Sequence, residues 1–165
     1  METKATCSRL NGLIDLYDMQ TDFFTRALIN VSDEDAHKRL DTKANHIAWL
    51  AGSLVQQRYD LAGMFGVASQ SSAHELFKNN QGIRDGAIYP SLTVFKDDWA
   101  GISQKLREAL LGVDEQKLES TFEMMPNFSM THYDLLTFSI YREANCIGQI
   151  ALWRRLLGYE ALKYD

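Results

Sequence analysis

The chain has 165 residues, enough for one domain with a substantial core, and its 45% apolar and 24% charged residues are ordinary for a globular protein. A formal charge of −5, with no dense Lys/Arg cluster, argues against nucleic acid as a partner. No apolar run reaches the roughly 18 residues of a membrane span, and Met1-Glu2-Thr3-Lys4 leads into no signal-like segment, so a cytoplasmic protein with no membrane partner is expected.

Apolar residues at Leu10, Leu13, Ile14, Tyr17, Phe24 and Leu28 step by three and four and predict a first helix over 5–29. Ser32-Asp33-Glu34-Asp35 reads as a capping box opening a short segment that ends near Leu40. Asp41 and Thr42 are candidate caps for the next helix, predicted over 43–65 on the stripe Ile47, Leu50, Leu54, Leu61 and Phe65, with Gly66 as its stop. Residues 67–89 are rich in Ser, Asn, Gln and Gly and form a long connection, with a short helical turn around His74-Phe77. Pro90-Ser91 opens a third long helix, marked by Leu92, Phe95, Trp99, Ile102, Leu106 and Leu110 and closed by Gly112. Residues 113–130 form a second connection, in which Pro126 forbids a continuous helix. Thr131-His132-Tyr133-Asp134 is another capping-box pattern, and the last helix runs from it to Leu157, stopped by Gly158. No strand-like alternation of useful length is seen. Four long amphipathic helices must bury their stripes on one another. Residues 1–165 therefore read as a single all-α four-helix bundle, with long connections between its second and third and its third and fourth helices.

Two segments resemble the DinB/YfiT-like superfamily. Asn45-His46-Ile47-Ala48-Trp49-Leu50-Ala51-Gly52-Ser53-Leu54 resembles the family's second-helix pattern, Asn-x-Ile-x-Trp-x-x-Gly-His-hydrophobic. Arg142-Glu143-Ala144-Asn145-Cys146-Ile147-Gly148-Gln149-Ile150, followed by Trp153-Arg154-Arg155-Leu156-Leu157-Gly158, is similar to the last-helix pattern His-x-x-x-His-x-Gly-Gln-hydrophobic. The resemblance implies the bundle fold, a homodimer paired through helix faces, and a nickel or zinc site of three histidines. Two imidazoles at i and i+4 would share one helical face, and a third would reach in from a neighbouring helix.

This chain departs from that pattern at all three places: Ser53, Arg142 and Cys146 stand where the histidines would be. A guanidinium has no free lone pair and repels a dication, so no metal cofactor is expected. The candidate ligand-binding residues are Ser53, Arg142, Cys146, Gln149, Trp49 and His46. Arg142 has two readings: an anion clamp awaiting a ligand's carboxylate or phosphate, or an internal pair with Asp60 or another helix's acid. A buried charge needs one or the other.

Cys146 beside Arg142 should have its thiolate favoured, yet it also reads as a small apolar filler. Cys7, the other cysteine, is far away in sequence, and neither lies in a CxxC spacing, which suits reduced thiols. His46, two turns before Ser53, is a displaced ligand or base, or a satisfied histidine near the helix start. Gln149 bonds a neighbouring helix or a pocket ligand, and Gly148 permits close helix approach. Trp49, Trp99 and Trp153 lie at stripe edges and read as core. Phe122, Met124, Met125 and Phe128 form an apolar patch that is either a cover for the bundle end or a partner surface. Two functions stay open: a bundle that binds a small molecule or a protein, or a DinB-like enzyme of thiol-dependent transferase or metal-dependent hydrolase type using a modified site.

Overall fold

In the computed structural model, which describes residues 4–165, the chain is predominantly helical with one two-stranded hairpin. Met1-Glu2-Thr3 of the signal-segment reading lies outside the described residues. Helix α1 (Asn11–Ala27) follows a 3-10 turn at Ser8–Leu10 and buries Ile14, Tyr17, Gln20, Phe24 and Ala27. The short α2 (Asp33–Ala36) is capped by Ser32, whose side chain accepts from Asp35 N–H.

Helix α3 (Ile47–Met64) starts later than its expected opening at residue 43. Leu40 and Asp41 take positive φ (46° and 57°), and Thr42 Oγ1 donates to Arg39 O and accepts from Ala44 N–H, closing a turn that cannot join a helix. The cap is His46 rather than Asp41 or Thr42. The connection after α3 holds α4 (His74–Phe77). Helix α5 (Leu92–Gly112) follows, then the short α6 (Glu115–Glu119), capped by Asp114.

The expectation of no strands is corrected here. Strands β1 (Thr121–Met125) and β2 (Phe128–Thr131) pair antiparallel across Pro126-Asn127. Asn127 takes φ 65°, a conformation Asn tolerates well. Both strands are largely exposed, so no burial pattern forces the polar alternation that marks a strand in sequence. Helix α7 (His132–Leu156) opens on a Thr131/Asp134 capping box and ends before Gly158, which adopts φ +87°.

The four long helices enclose the core: α3 packs on α5 and α7, and α1 packs on α7 and α5. At its centre lies a charge that the stripes only hint at. Arg58, with no exposed surface, donates Nε and Nη2 to the two carboxylate oxygens of Glu143, each at 2.8 Å. Its Nη1 donates to Thr21 Oγ1 at 2.7 Å and Ser103 Oγ at 2.6 Å. The guanidinium carbon sits 3.5 Å from the Trp99 ring centroid and 4.1 Å from that of Tyr17. Burial pushes the Tyr17 phenol up to about 12, so it stays a neutral donor to Ser103 O.

Close approach occurs at Gly52, not at Gly148. A Cβ at Gly52 would lie 2.3 Å from Phe77 Cζ and 2.8 Å from Phe95 Cε1, whereas one at Gly148 would meet nothing within 4 Å. Among the described residues, no helix is long and apolar enough to cross a membrane.

Removing one member of the buried pair strands the other. Glu143→Gln is expected to lower stability in urea unfolding by about 3–5 kcal/mol. A double Arg58→Met, Glu143→Met chain should recover a substantial part of that loss. A double variant no more stable than the single one would contradict the pairing.

Candidate functional site

A cavity of about 460 Å³ lies between α3 and α7. Trp49, Ser53, Gln56, Gln57, Asp60 and Met64 recur at steps of three and four along α3 and form one wall. Leu135, Phe138, Ser139 and Arg142 do the same along α7. Leu61 from α3, Phe77 from α4, Asn80 and Gln81 just after it, and Phe122 and Met124 from β1 complete the lining. The hairpin absent from the sequence reading is thus part of the cavity wall. It is anchored by Phe122, whose ring lies 5.1 Å from buried His132.

The cavity's one cation among the described lining residues is Arg142. Its Nη2 donates to Ser53 Oγ at 2.6 Å and its Nη1 to Gln57 Oε1 at 2.7 Å. Gln57 is oriented in turn, because its Nε2 donates to Ser139 O at 3.0 Å. Where an ion pair with Asp60 or another acid was one reading, the partners are neutral: no carboxylate pairs with Arg142 among the described residues. Arg58 pairs with Glu143, and Arg107 with Asp18. One turn from Ser53, Trp49 lines the same wall, and its buried Nε1–H has no hydrogen-bond partner among the described residues. Further along α3, partial burial raises the Asp60 carboxyl, against the hydrogen bond from Gln56 Nε2 at 2.7 Å.

Of the six sequence candidates, Ser53, Arg142 and Trp49 meet in this cavity, and Cys146, His46 and Gln149 are not in its lining. Cys146 is buried one turn beyond Arg142, and burial raises its thiol despite the nearby guanidinium, the reverse of the electrostatic expectation. Gln149 is exposed and donates to Asn145 Oδ1. His46 is buried as the cap of α3, its Nδ1 accepting from Trp49 N–H at 3.0 Å, and so fixes the turn that carries the Trp49 side chain.

Ser53, Arg142 and Cys146 do not fit a divalent metal. The guanidinium is bonded to the hydroxyl that would have to ligate, and it brings fixed positive charge without a lone pair. Among the described residues, no three His, Cys, Asp or Glu side chains gather as a metal-holding group elsewhere. A larger hollow of about 760 Å³ lies under the C-terminal segment. Its arginines are spent: Arg154 donates to the carbonyls of Ala27, Ile29 and Glu160, and Arg26 to those of Lys163 and Asp165. That hollow is a clamp on the chain's own tail.

Two measurements check these environments. Burial, with His37 and Arg39 adding to it, pushes His46 down to about 4. Its folded-state pKa is depressed, so its contribution to stability is full above about 6.5 and is lost as pH falls toward about 4. His46→Asn keeps a cap acceptor and removes the titration. The melting temperature should therefore fall more steeply with acid in the parent than in the variant, and parallel curves would contradict this. Iodoacetamide near neutral pH should label Cys146 slowly in the folded protein and rapidly in urea; rapid native labelling would show a thiol more open and more acidic than described. Neither a protein-family model nor a curated protein sequence matches the chain.

Proposed function

We propose that the chain is a DinB-like four-helix bundle in which the family's metal site has become a small-ligand site, placed in the cavity between α3 and α7. One observation carries the reading: Ser53 and Arg142, at two of the positions where the resemblance puts histidines, are hydrogen-bonded to each other at 2.6 Å in the wall of a cavity of about 460 Å³. That volume lies within the range of small-molecule sites. Half of the lining residues are aromatic or aliphatic and half are polar, and several of the polar groups are held in place by hydrogen bonds within the wall, an arrangement that can both bind and orient a ligand.

The enzyme alternative would need Cys146 or Arg142 to take over the polarising role of the metal. Burial of Cys146, with its raised thiol, speaks against thiol chemistry. A second copy of the chain is the macromolecular partner implied by the resemblance, and the exposed Phe138, Tyr141, Leu152 and Leu156 along α7 support it.

The uncharged fluorophore N-phenyl-1-naphthylamine is the first probe. It should brighten saturably with the full chain, and Leu135→Trp, which fills the cavity from α7, should weaken binding by at least about tenfold, roughly 1.4 kcal/mol. Elemental analysis of the same preparation should find no stoichiometric nickel or zinc. No brightening, brightening indifferent to Leu135→Trp, or bound metal lost on Ser53→Ala would overturn the reading.

A further inference from the structure

We infer that the cavity selects amphipathic monocarboxylates, with the carboxylate on Arg142, the apolar body along Met64, Phe77, Leu135 and Phe138, and no second anion beside Asp60. The inference rests on the ligand-site reading above and adds the chemical class of the ligand.

Charge is the first reason. A guanidinium partly withdrawn from water, in a wall half polar and half apolar, is favoured by an anion. Arg58 and Arg107 have theirs in Glu143 and Asp18. Arg142 is half-buried, holds only a hydroxyl and an amide oxygen, and forms no ion pair among the described residues, the adjacent Glu143 being taken by Arg58. These two bonds use only part of the five N–H groups of the fork. They also hold it in place, since Gln57 is locked to Ser139 O. An arginine fork so oriented matches a planar carboxylate. The unpartnered indole N–H of Trp49 stands on the same wall, one turn from Ser53.

The second reason is what the cavity lacks. A phosphate carries close to two negative charges at neutral pH, and no Lys or second Arg is among the described lining residues. At the other end of the α3 wall stands Asp60, seven residues from Ser53 and so roughly 10 Å along the helix. Gln56 fixes this carboxyl, and is itself tied to Ser71 Oγ at 2.8 Å and His74 Nδ1 at 3.1 Å. A chain long enough to bring a second carboxylate there would meet a like charge, with no Lys or second Arg among the described lining residues to offset it. A neutral tail meets no such penalty.

The test displaces N-phenyl-1-naphthylamine from the full chain with four probes of one chain length: octanoate, 1-octanol, octyl phosphate and octanedioate. Octanoate should displace it at about 10- to 100-fold lower concentration than 1-octanol, the worth of a hydrogen-bonded charge, with octyl phosphate and octanedioate weaker than octanoate. Arg142→Gln should erase the advantage of octanoate over octanol, and Arg142→Lys, which keeps the charge but not the fork, should keep only part of it. Asp60→Asn should bring octanedioate close to octanoate, and this arm does not depend on how the Arg142 variants fold. Equal displacement by octanol and octanoate, an advantage that survives Arg142→Gln, or octanedioate matching octanoate in the parent chain would each overturn the inference while leaving the ligand site standing. A fluorophore that does not bind at all fails the ligand-site reading itself, and this inference with it.

Discussion

The Arg58 guanidinium is the constraint around which the helices are arranged. It is bonded to or stacked on Tyr17 and Thr21 of α1, Trp99 and Ser103 of α5, and Glu143 of α7, while belonging to α3 itself. One buried charge therefore ties all four long helices together. Apolar stripes alone are satisfied by many registers and rotations, because burial is non-directional. A fully buried bidentate pair flanked by two rings accepts very few, since sliding any helix would leave an ion without its partner in the interior.

That pairing also sets the orientation of α7, and with it the cavity. Glu143 must face inward toward Arg58, and its neighbour Arg142, about 100° further round the helix, is turned toward α3. There it meets Ser53 and Gln57 rather than an acid. Adjacent residues of opposite charge thus take different roles: one completes the core, the other leaves a guanidinium without an anion. Gly52 contributes from the α3 side. Its missing Cβ lets the Phe77 ring come in over α3, which places that ring in the cavity lining.

Much of the helical frame is legible in the sequence, because stripes, caps and stops there agree. Thr131/Asp134, the turn at His74-Phe77 and the glycines after α3 and α7 all stand where their chemistry puts them. The hairpin is less legible. Pro126 reads as a helix breaker, and only in combination with Asn127 does it read as a turn between strands. The Arg58–Glu143 pair had a signal of its own. Arg58 stands in the α3 stripe between Leu54 and Leu61, and Glu143 in the α7 stripe between Ile140 and Ile147, so two opposite charges occupy core positions of two helices. At the site, the meeting of Arg142 with Ser53 is what the motif resemblance implies, and it is not readable from the spacing within either helix. The exclusion of Cys146 and Gln149 depends on the rotation of α7, which the buried pair sets.

The most direct measurement follows the three tryptophan indole N–H resonances during a titration with octanoate. Trp99 donates to Thr21 O and Trp153 to Asn45 O, whereas the indole of Trp49 is unpartnered among the described residues. With Trp49 assigned by its replacement with Phe, its resonance should move saturably while those of Trp99 and Trp153 stay in place. A Trp49 resonance that does not respond, or three resonances that move together, would contradict a ligand site beside Arg142.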